Sequence, residues 1–123
     1  MGMFKHHAVL VTCWSKKTAK RARRKARRLF RELVSKIVES PLNGFWTFFV
    51  APDGSKEEWD ESFAYDRRRA AFVAWLRRQA SEHNTLLDWV EVQYGDEFGR
   101  PSEVTSDSVP PREEAPEPEE IPY

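Results

Sequence analysis

The sequence predicts an α+β fold, a two-layer sandwich with two helices on one face of a three- or four-stranded, mostly antiparallel sheet. Three observations carry this reading. Residues 7–14 form an unbroken apolar, β-branched run with the two-sided hydrophobicity of a central strand. Ala19, Ala22, Ala26, Leu29, Phe30, Leu33 and Ile37 recur at helical spacing and make one narrow apolar stripe. Residues 45–51 and 86–94 alternate at the period of a strand and flank a second helical pattern.

In chain order, Ser15 follows the first strand and is suited to cap the first helix. The segment Ser40-Pro41-Leu42-Asn43-Gly44 ends that helix, because proline cannot continue it and Asn-Gly favours a turn. Residues 45–51 form an aromatic strand, closed by the turn Pro52-Asp53-Gly54, with residues 55–59 as a short hairpin partner. Lys56, Glu57 and Glu58 are poor residues for a central strand, which leaves the count at three or four. Ser62 can cap a second helix over 63–80, with Ala71, Phe72, Trp75 and Leu76 facing inward and arginines in between. Asn84 suits its exit. Along the last strand Val90, Val92 and Tyr94 share one side, and Trp89, Glu91 and Gln93 the other. The order strand, helix, strand, possible strand, helix, strand corresponds to the split βαβ, or ferredoxin-like, plan.

The 123 residues divide into one α+β domain, 1–98, and a Pro-rich acidic tail, 99–123, whose composition predicts disorder. Cys13 is the single cysteine, so a disulfide framework is excluded and a reducing compartment is expected. The N-terminal apolar run is too short to span a membrane and lacks a signal-peptide cleavage pattern, which points to the cytoplasm.

Formal net charge is zero, yet the signs are segregated. Residues 16–36 hold more than half of the 20 Lys and Arg residues and one acid, Glu32. Beyond residue 95 the acids Asp96, Glu97, Glu103, Asp107, Glu113, Glu114, Glu117, Glu119 and Glu120 face only Arg100 and Arg112. On the first helix Lys17, Lys20, Arg21, Arg24, Arg28 and Arg31 crowd the side opposite the apolar stripe. Like charges at i, i+4 destabilise a helix by roughly 0.2–0.5 kcal/mol per pair, and cations at its N-terminus oppose the macrodipole. A countercharge outside the helix is therefore expected: a polyanion such as nucleic acid, an acidic protein, or the chain's own acids in 53–66 and the tail. No zinc-finger, helix-turn-helix or RNP-type motif accompanies the cations, so phosphate contact is expected without base reading.

Because helices cover one sheet face only, aromatic surface should remain on the other. Trp14, Phe45, Phe49 and Trp89 are the candidates, for a homodimer contact or for a base-stacking or small-ligand platform. Support for catalysis is lacking. There is no P-loop, no G-x-G-x-x-G and no zinc-type spacing, and His6-His7 has no third ligand nearby in sequence. The acids Asp53, Glu57, Glu58, Asp60, Glu61 and Asp66 lack the ligand positions of a calcium loop. Neither a catalytic residue nor a metal or cofactor is assigned.

The segments HHAVLVTCW, ESPLNGFWTFFVAPDGSKEEWDES and LLDWVEVQYGDE resemble small uncharacterised proteins carried by phages and other mobile elements, most specifically in NGFWTFFVAPDGSKEEW. That resemblance implies a compact accessory protein acting in a bacterial cytoplasm, with no functional residues to carry over. The function expected is thus non-enzymatic polyanion binding through the basic helix. The alternatives are a ligand-binding or catalytic site on the open aromatic face, and a structural homodimer.

Overall fold

A strand that alternates Val9, Val11 and Cys13 with Leu10 and Thr12 must send the two sets to opposite sides of its sheet. In the computed structural model, which describes residues 4–95 and 101–109, the first set is fully buried and the second is not. This strand, β1 (His6–Cys13), is followed by α1 (Lys16–Phe30), β2 (Val38–Glu39), β3 (Trp46–Val50), α2 (Asp60–Glu82), β4 (Leu87–Tyr94) and β5 (Glu103–Asp107). The described residues are α+β, with two α-helices and a five-stranded antiparallel sheet of order β2-β3-β1-β4-β5.

One core lies between the layers. Ala19, Ala22 and Ala26 let α1 approach the sheet closely, and Phe30 meets Phe72 of α2 edge to face at 5.9 Å. From the sheet come Val9, Val11, Cys13, Phe48, Val50, Leu87 and Trp89. Ser15 caps α1 as expected, its Oγ accepting from the Thr18 N–H at 3.1 Å.

Several boundaries differ from the sequence reading. The first helix stops at Phe30, where Arg31 takes φ 51°, and a 3-10 turn over Arg31–Leu33 follows. The chain then runs extended, with Val34 bridged to Val50 and Val38–Glu39 pairing with β3. β-branched Val34, Ile37 and Val38 favour that extended arm, while Leu33 and Ile37 still pack on the core. Residues 55–59 form no strand; the chain turns there, with Glu58 at φ 73°, and enters α2 at Asp60. Ser62 lies inside the first turn of α2 rather than capping it, and Trp59 stands at the cap without a side-chain hydrogen bond. Of the expected inward stripe, Phe72 and Leu76 are buried and Trp75 is half-buried, whereas Ala71 is exposed and Val73 takes its place. The sheet also exceeds the expected count, because β5 lies within the segment assigned to the tail. There Glu103 pairs with Gln93 and Ser106 with Glu91. The remainder of that tail, 110–123, lies outside the described residues, as do 1–3 and 96–100.

A candidate polyanion groove

Helix α1 buries one face, so its nine basic residues are divided between the outward side and the two flanks of the buried stripe. One flank meets the extended arm. Between them is a groove of about 780 Å³ lined by Lys20, Arg23, Arg24, Arg27, Arg28 and Lys36, together with the apolar Ile37. Arg23 donates from Nε to the Ser35 carbonyl at 2.8 Å, fixing its guanidinium and joining the two walls. Ser35 in turn is tied to the sheet, since its N–H donates to the Phe49 carbonyl and its Oγ accepts from the Phe49 N–H.

Among the described residues, no carboxylate stands in ion-pair range of any Lys or Arg of α1; the ion pairs found are Lys5–Glu57, Arg69–Asp53 and Arg69–Asp66. Of the acids of 53–66, Asp53 and Asp66 thus pair with Arg69, and Glu57 with Lys5. Arg27 and Arg28 suit the negative end of the helix dipole, but no acid sits in its first turn to oppose Lys16 and Lys17.

Of the six cations singled out in sequence, Lys20, Arg24 and Arg28 line the groove. Arg31 borders an adjoining hollow of about 420 Å³ at the end of α1, shared with Arg28, Arg68 and Tyr65, where the Arg68 guanidinium lies 4.8 Å from the Tyr65 ring. Lys17 and Arg21 are exposed beside the groove without lining it. Arg23, Arg27 and Lys36 are additions from the structure, and only the position of the arm reveals them.

A second cluster lies under α2. Arg69, one of the arginines between the inward-facing residues, is 3% exposed, and its guanidinium donates to Asp53 at 3.2 Å and Asp66 at 2.5 Å. Burial pushes the Asp53 carboxyl up, but hydrogen bonds from Ser55 and Arg69 outweigh it and hold its pKa below the ordinary value. Beside this network a hollow of about 370 Å³ is lined by His7, Asp66, Arg69 and Glu91. Burial lowers the His7 pKa, the Arg69 charge lowers it further, and Asp66, Glu91 and Glu57 act the other way. Burial and the nearby Asp88 carboxylate push the Cys13 thiol up to about 11, so it is a packing residue at neutral pH. No three His, Cys, Asp or Glu residues among those described are arranged to hold a metal ion.

The open sheet face holds Trp14, 51% exposed, and Phe49, 49% exposed, with Phe45 half-buried against Trp14 in an edge contact of 5.4 Å. Trp89 does not belong with them. Its register opposite Val11 turns it to the helix side, where it is 3% exposed beneath Arg77 and its indole N–H has no partner among the described residues.

No helix among the described residues is long and apolar enough to cross a membrane. The chain matches no protein family, and no curated protein or solved structure is significantly similar to it.

Proposed function

We propose that this protein is a non-enzymatic accessory factor that binds the phosphate backbone of a nucleic acid in the groove between α1 and the arm at Lys36. One observation carries the reading: six cations converge on a single concave surface and none has a carboxylate partner among the described residues. Guanidinium groups suit this task because their planar forks match phosphate oxygens. Spacing along one helix flank tracks charge rather than base edges, so binding is sequence-blind.

The setting we propose is a phage or mobile-element protein in a bacterial cytoplasm, as the sequence resemblance implies. The architecture we favour is the split βαβ plan with β5 added. The order β2-β3-β1-β4, with helices after β1 and β3, supports it. We further read the acidic tail as a tethered competitor for the groove that suppresses weak binding.

Fluorescence anisotropy with duplex and single-stranded oligonucleotides tests the reading. If about five phosphates are neutralised, log K falls against log salt with a slope of roughly −4. Arg24→Glu with Arg27→Glu abolishes binding at low salt. Affinity indifferent to both salt and charge reversal refutes the groove. Tighter binding to polyglutamate than to DNA reassigns it to acidic proteins.

A further inference from the structure

The face opposite the helices carries an inference independent of the groove. Leu10, on the central strand, is 43% exposed and stands in a row with Phe49 and Val90; Ala8, Val92 and Val104 form a second row. Thr12 and Thr47 bond to each other at 2.9 Å between these apolar residues, which satisfies their hydroxyls within the face. In the paired rows of this face the charged residues are Asp88 and Asp107, and no Lys or Arg joins them. Such a surface repels phosphate. It equally disfavours the chain's own segment 110–123, which carries five glutamates and little apolar area.

We propose that this face is the interface of a symmetric homodimer, packed sheet on sheet. Isologous contact requires a patch that complements itself, and the apolar row around Leu10 does so, with Asp107 at the rim. Asp107 is on the edge strand β5, whereas Asp88 lies within the patch on interior strand β4, where the Trp14 indole N–H donates to its carboxylate at 3.4 Å. The apolar area reaches the lower end of the standard range, about 600 Å² from each partner. A standard interface takes roughly 800 Å² from each partner. Leu10, Trp14, Val38, Phe49, Leu86 and Val104 are each about half exposed or more, and supply on the order of 100 Å² apiece. Because the helices lie on the far side, both grooves stay open in the dimer.

Sedimentation of the full chain at about 50 μM should give a particle of twice the 14.4 kDa chain mass. Leu10→Asp sets two carboxylates against each other near the centre and should raise the dissociation constant roughly a hundredfold. Phe49→Lys provides a second variant, and circular dichroism verifies that each stays folded. A wild-type monomer overturns the proposal. So does a dimer unmoved by both substitutions, a dimer formed only when 110–123 is removed, or oligonucleotide affinity that a monomeric chain loses with Phe49→Ala. Charge reversal in the groove should leave the mass unchanged, so the two readings fail separately.

Discussion

The Arg23 guanidinium reaches across from the middle of α1 to the Ser35 carbonyl, so one side chain both closes the groove and holds the arm that forms its far wall. A hydrogen bond from a charged donor contributes about 1.5–3 kcal/mol where it is sheltered, and less at this half-buried site.

Arg23→Ala should therefore lower stability by about 1 kcal/mol in urea unfolding and also weaken oligonucleotide binding. Arg23→Lys separates the effects. It keeps the charge but loses the Nε geometry, so it should retain most of the binding and little of the stabilisation.

Arg69 and Asp53 give the largest expected loss. Both side chains are almost wholly buried, and truncating one leaves the other charged without its partner. Arg69→Ala should destabilise by roughly 3 kcal/mol or more, measured by urea unfolding. Asp66 has a half-exposed side chain, and Asp66→Ala should cost about 1 kcal/mol or less. Replacing Arg69 and Asp53 together by Met and Ala should recover part of the single-variant loss.

Local pattern disclosed much of this architecture, because the unbroken apolar run at 7–14 and the alternation at 45–51 and 86–94 each lie within a few residues. The end of α1 was hidden, since Leu33 and Ile37 sit at helical spacing yet reach the same core from an extended arm. Concealing that arm concealed β2, which displaced the missing strand to residues 55–59. Polar β5 reads as tail because its place depends on pairing with β4, not on its own hydrophobicity. The cations were legible, but dividing groove from outward face required the arm. Trp89 was misplaced for a similar reason: its side follows from register with Val11.

Acid should destabilise the fold in two stages. Folding lowers the His7 pKa from its ordinary 6.5, so the unfolded chain binds that proton more readily. Stability should be full above about pH 6.5 and fall as pH drops through the folded value. Asp53, also depressed, contributes above its unfolded value of 3.8 and loses that contribution below it. His7→Gln should flatten the upper stage in denaturant midpoints measured between about pH 7 and pH 5 and leave the lower one.

Truncation after Val109 tests the tethered-competitor reading without cutting β5. The removed segment holds Glu113, Glu114, Glu117, Glu119 and Glu120 against Arg112, while the groove retains all six cations. A tethered competitor acts at an effective concentration of millimolar order, so its loss should tighten oligonucleotide binding severalfold at low salt. The gain should shrink as salt screens both interactions, and it should vanish in the Arg24→Glu, Arg27→Glu background. Unchanged affinity at low salt would remove the tail from the binding equilibrium and leave the groove to be judged on its own. Cutting before residue 103 is a different experiment: it strips β5 from β4, exposes that edge and should lower stability as well.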